Sequence, residues 1–169
     1  MNVSANMSLP MPRMEPVTAE RGYMASAEAF LHSFELLAAS GDQHARALAL
    51  VGGFIVECLL KAYLVHAAEK SGEHGEVLRE HDLQSLWSKV EQTGLSIPPV
   101  APVWCAVLNG LHYGNKDPRN EGGNMTVPVE RRYPLRYQST MNGLAFPIAS
   151  EMRTGVLKLF DLVSRAITA

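Results

Sequence analysis

Residues 42–70 read DQHARALALVGGFIVECLLKAYLVHAAEK, and the fold of this stretch decides the class of the whole chain. It is helix-compatible from end to end apart from Gly52-Gly53, with Asp42 as its expected cap. Its most apolar part, Ala47 to Val56, has ten uncharged residues between Arg46 and Glu57. A membrane span needs about 20, so the stretch is expected to be a buried core helix. A glycine pair inside a helix costs roughly 1–2 kcal/mol relative to alanines. Its expected use is to let a neighbouring backbone come close.

The flanking sequence repeats the helical period. Tyr23, Ala27, Phe30, Leu31, Phe34 and Leu37 give a first amphipathic helix from Ala19 to about Ser40, stopped by Gly41. After the polar run 71–80, His81 or Asp82 opens a short third helix carrying Leu83, Leu86, Trp87 and Val90 and closed by Gly94. Pro98, Pro99 and Pro102 lead into a fourth, which ends near His112 ahead of Gly114. Met152, Val156, Leu159, Phe160 and Val163 mark a fifth from Ile148 to Ile167. The expected fold is all-α, an up-and-down bundle of four to five helices in which the second and fifth are central. A long connection, about 115–147, precedes the last helix, with short extended pieces possible at 125–129 and 132–137.

At 169 residues with 47% hydrophobic content, the chain suits one domain and one core. Residues 1–18, with Pro10, Pro12 and Pro16, read as a flexible tail, and 19–169 as the single domain. The tail has no basic stretch followed by an apolar run, so no secretory signal is expected. Two cysteines, Cys58 and Cys105, are too few for a disulfide scaffold and fit a reducing cytoplasm. The net charge of −2 excludes the strongly basic field of a duplex-DNA coat protein. Charged residues at 19% fall below the usual quarter, so a partner subunit is expected to cover part of the surface, with a homodimer as the commonest arrangement.

At about 100° per residue, Arg46, Gly53, Glu57 and Lys61 form one narrow polar seam on the second helix. Glu57 and Lys61, four apart, can be an ordinary helix ion pair worth roughly 0.2–0.5 kcal/mol. Alternatively, a carboxylate flanked by apolar residues is partly desolvated and must find a donor on another segment, for which His81 and Arg132 are the candidates. Asp82 is explained as a cap that accepts from exposed backbone N–H groups. His81 is either a surface residue before that cap or the ring that locks the third helix to the seam.

The connection 115–147 carries Lys116, Arg119, Arg131, Arg132 and Arg136 against three carboxylates, a local +2 that leaves −4 for the rest of the chain. Arginine beside Tyr133 and Tyr137 suits phosphate contact and base stacking, and it suits an ordinary protein interface equally well.

Catalytic patterns are missing. The chain has no phosphate-cradling glycine loop, no Gly-x-Ser-x-Gly, no His-Glu-x-x-His and no zinc-ligand spacing, so neither metal nor cofactor is expected. Cys105 and His112 are two helical turns apart, too far for a thiol–base pair. His112 is expected to bond the last carbonyls of its helix, with His81 and His112 the weak catalytic candidates.

The order Glu57-Cys-Leu-Leu-Lys61-Ala62, then His81-Asp82-Leu83 before Ser85-Leu86, then Arg132-Tyr133-Pro134 before a last apolar helix, resembles the HEPN family of nucleotide-binding domains from higher eukaryotes and prokaryotes. The resemblance spans about residues 20–168. It implies a helical bundle, frequent homodimers, and association with RNA, nucleotides or toxin–antitoxin and phage-defence systems, including an antitoxin or nucleotidyltransferase-like partner. By motif it singles out Glu57, Lys61, His81, Asp82, Arg132 and Tyr133. Ribonuclease members carry a histidine four to six positions after an arginine, and no arginine of this chain has one. The expectation is therefore a non-catalytic binding module, with a purely structural dimer or an unconventional metal-independent ribonuclease as alternatives.

Overall fold

The computed structural model of the chain describes residues 18–72, 79–114 and 146–169. These form an all-α bundle of five helices: α1 (Ala19–Ala39), α2 (Ala45–Lys70), α3 (Leu83–Gln92), α4 (Val103–His112) and α5 (Ala149–Thr168). The tail, the connection 115–145 and its two suggested extended pieces lie outside the described residues.

Thr18 caps α1, its hydroxyl accepting from Arg21 N at 3.3 Å. Gly41, at φ +74°, turns the chain out of α1 as only a residue without Cβ does cheaply. A 3-10 turn, Asp42–His44, then leads into α2, whose N-cap is His44 with no side-chain cap bond. Asp42 was expected to be that cap. The extra turn places it two residues too early.

Pairings between α1 and α2 run in opposite senses: Glu20 meets His66, Tyr23 meets Lys61, Phe30 meets Phe54 and Phe34 meets Gly52. The two helices are therefore an antiparallel hairpin. A Cβ on Gly52 would lie 3.1 Å from Phe34 Cε2, so the glycine is what lets this buried ring approach α2.

α2 packs against all four other helices, and twelve of its residues are buried, among them Leu48, Ile55, Leu59 and Leu60. Leu83, Leu86, Leu108, Leu111, Met152 and Val156 close the same core. By length and composition α2 is apolar enough to cross a membrane, but 67% of that stretch is buried inside the bundle, the place of a core helix. The fifth helix was expected to share this centre. It packs on α1, α2 and α4 through one stripe, Met152, Val156, Leu159 and Val163, and leaves its opposite face exposed, so α2 alone is central.

Candidate functional site

Along α2 the polar seam splits by depth. Arg46 is exposed, whereas Gly53, Glu57 and Lys61 are buried. Glu57 Oε1 accepts from Lys61 Nζ at 2.7 Å and from His81 Nδ1 at 2.9 Å, and Oε2 lies 2.7 Å from His112 Nε2. One carboxylate thus ties α2 to the head of α3 and to the end of α4.

Burial by itself would push the Glu57 carboxyl up. The hydrogen bonds from His112 and Lys61, with the charge of Lys61, outweigh it and hold the pKa at about 2. Ionised at neutral pH, Glu57 can only accept, so both imidazoles donate to it, His112 from Nε2 and His81 from Nδ1.

His112 is fully enclosed, and its ring turns inward to Glu57 rather than onto the last carbonyls of α4, the position expected from its place before Gly114. Glu57 offers an ionised acceptor, which outweighs the partial charge of a helix end. Gly53 makes room for this ring, since a Cβ there would stand 2.6 Å from His112 Nδ1. That nitrogen is buried without a hydrogen-bond partner among the described residues. Phe54 packs edge-on against the same imidazole at 5.4 Å. Lys61, 3% exposed, sits 5.8 Å from the centre of the Tyr23 ring, which gives the ammonium a second favourable contact.

Asp82 stands one residue beyond the cluster and does a different job. It caps α3, accepting from Gln84 N and Ser85 N at 3.1 and 3.0 Å, while Asn109 Nδ2 approaches the same oxygen at 3.4 Å. Asn109 Oδ1 accepts from Leu83 N at 2.8 Å. A buried amide of α4 therefore satisfies the start of α3 from both sides.

The structure brings together Glu57, Lys61, His81 and His112, with Asp82 alongside. Arg132 and Tyr133, the other motif residues, and Lys116, Arg119, Arg131, Arg136 and Tyr137 lie outside the described residues. Sequence reasoning missed Asn109 and the Glu57–His112 bond. The glycine pair was expected to admit a neighbouring backbone; it admits side-chain rings instead, Phe34 at Gly52 and His112 at Gly53, because a buried ring needs the space of a missing Cβ as much as a backbone does.

Chemically the Glu57 carboxylate is saturated, and His112 Nδ1 is the one buried atom of the cluster left unpartnered among the described residues. Both oxygens of Glu57 are engaged, and the Lys61 ammonium occupies the place where a cation would have to sit. Among the described residues no group of three His, Cys, Asp or Glu is arranged to hold a metal ion. Neither cysteine is activated, since burial pushes the Cys58 thiol up to about 11 and the Cys105 thiol up to about 12. Comparison with protein-family models, with characterised proteins and with solved structures finds no significant match to this chain.

Proposed function

We propose that the chain is a HEPN-like, non-catalytic helical module that binds RNA or a nucleotide in a bacterial defence or toxin–antitoxin setting, in the cytoplasm and beside a cognate antitoxin or nucleotidyltransferase-like partner. The observation that carries this reading is the saturated carboxylate. Glu57 holds His81 and His112 while ionised, which favours a fastening that fixes helices over an acid or base that must exchange protons. His112 is also two residues before Gly114, the last described residue ahead of the arginine-rich stretch of sequence. The fastening thus anchors the root of the segment whose cations suit phosphate.

The test is a binding titration with labelled single-stranded RNA against the full chain and an Arg131→Ala/Arg132→Ala variant. Each phosphate contact contributes about 0.7 to the log–log salt slope on single strands. Losing two should lower the slope by about 1.4 and weaken binding. Unchanged affinity and slope would refute the assignment of those arginines to phosphate.

A second reading, a homodimer in which the arginine and tyrosine segment packs on another subunit, is favoured by α1, which leaves Phe30 and Leu36 44% and 59% exposed. Light scattering distinguishes a particle of 18.5 kDa from one of twice that mass.

A further inference from the structure

On the side of the bundle formed by α4 and α5, an open cleft of about 440 Å³ is lined by Trp104, Ser150, Glu151, Thr154, Gly155 and Lys158. Its volume falls within the range of roughly 300–1,000 Å³ that small-ligand sites occupy. The floor depends on a mid-helix glycine. A Cβ on Gly155 would overlap Cε2, Cζ2 and Nε1 of Trp104, with the ring-junction carbon Cε2 nearest. An approach nearest the junction carbon comes from above the ring, so the indole rests face-down on Gly155. Helix α5 gives up some helical propensity at this position, and the indole lies flat in the cleft as a result.

Three further features point to a ligand. Trp87 Nε1 donates to the carbonyl of Pro98 at 2.8 Å, whereas the Trp104 N–H makes no hydrogen bond among the described residues. Trp104 Nε1 is not among the buried atoms that lack a partner, so it reaches the surface of the cleft as an accessible donor. Lys158 is exposed and forms no ion pair among the described residues, unlike Arg153 and Arg165 on the same helix, which pair with Glu35 and Asp161. Glu151 lies seven residues before Lys158, two turns or about 10 Å along the axis. The cleft therefore has a cation at one end, a carboxylate at the other and an aromatic donor between.

We propose that this cleft binds a nucleotide whose base carries an exocyclic amine, either free or as one unit of an RNA strand. The base stacks on the exposed part of the Trp104 indole, the Trp104 N–H, which lies in the plane of that ring, donates to the sugar or phosphate beside the base, Glu151 accepts from the amine, and Lys158 meets the phosphate. This deepens the nucleotide and RNA reading above and rests on it, while using none of the arginines of residues 115–147.

The probes are adenosine 5′-monophosphate and adenosine, titrated into the full chain with tryptophan fluorescence and calorimetry as readouts. The expected result is that the monophosphate quenches Trp104. Lys158→Ala should weaken the monophosphate about tenfold or more and leave adenosine unchanged, because one charge-assisted contact is lost. Gly155→Ala lifts the indole and should abolish both. Lys158→Ala changes an exposed side chain and keeps the test valid if Gly155→Ala fails to fold. Absence of monophosphate binding, or binding indifferent to Lys158→Ala, overturns the proposal. If the Arg131→Ala/Arg132→Ala variant loses RNA while Lys158→Ala keeps full affinity for both RNA and the monophosphate, the cleft falls and the broader RNA reading stands. Quenching by an acidic peptide in place of the monophosphate would also overturn it, by assigning the cleft to a protein partner.

Discussion

His112 Nε2 donates to Glu57 Oε2 over 2.7 Å, joining the last residue of α4 to the middle of α2 across 55 positions of sequence. Both groups are buried, and the same carboxylate holds Lys61 and His81. Removing one member of such a set leaves the others desolvated without a counter-charge, a far larger effect than that of an exposed helix ion pair.

Glu57→Ala is therefore expected to destabilise the bundle by roughly 3–5 kcal/mol, by stranding the Lys61 ammonium and two imidazole donors. Urea unfolding followed by circular dichroism measures this. A loss under about 1 kcal/mol would mean that the cluster contributes little to stability.

Acid sensitivity follows from the carboxyl pKa. The ordinary value of 4.5 falls to about 2 in the folded chain. A depressed pKa contributes stability that is fully present above about 4.5 and is lost as the pH falls toward 2. The contribution is roughly 3 kcal/mol. Between pH 4.5 and 2 the wild-type chain should lose more stability than Glu57→Gln, whose side chain does not titrate. Parallel stability curves for the two proteins would contradict this.

Gly53→Ala should also destabilise. The added Cβ meets His112 Nδ1 at 2.6 Å and Cγ at 2.8 Å, and it drives the ring away from Glu57. A cost of about 1–3 kcal/mol is expected from overpacking, plus whatever is lost from the displaced hydrogen bond. Gly52→Ala is the control, since its nearest neighbours are Phe34 Cε2 at 3.1 Å and Met152 Sδ at 3.4 Å, and the latter is the far part of a flexible side chain. Thermal unfolding should rank Gly53→Ala well below Gly52→Ala.

These relationships differ in how far they could be read from sequence. Periodicity located α1, α3 and α5, because an apolar stripe at three-and-four spacing has no alternative as a strand, while helix-compatible composition located α2 and the proline and glycine boundaries located α4. The Glu57–Lys61 pair follows from a spacing of four on one helix face. The destination of His112 did not follow. Its ring chooses an ionised acceptor on another helix over carbonyls nearby, and that choice depends on how α4 crosses α2, which no local pattern encodes. Asn109 escaped notice for a similar reason: an amide among apolar residues at 105–111 gives no sign that it faces the start of α3.

Asn109→Leu tests that clamp. It leaves the buried Leu83 N–H without its acceptor and removes the donor facing Asp82. A loss of about 1–3 kcal/mol is expected. Hydrogen exchange should show the first turn of α3 opening more readily, and unchanged protection there would show that the clamp does not hold the helix start.

Binding of RNA or a nucleotide by this bundle without cleavage is decided by a fluorescence-anisotropy titration of labelled single-stranded RNA at 50 and 200 mM salt, followed by a gel of the recovered RNA. If all five cations of residues 116–136 meet phosphate, affinity should fall about 100-fold between the two conditions, with the RNA recovered at full length. No binding at 50 mM, affinity indifferent to salt, or metal-independent cleavage lost in His81→Ala or His112→Ala would contradict the account.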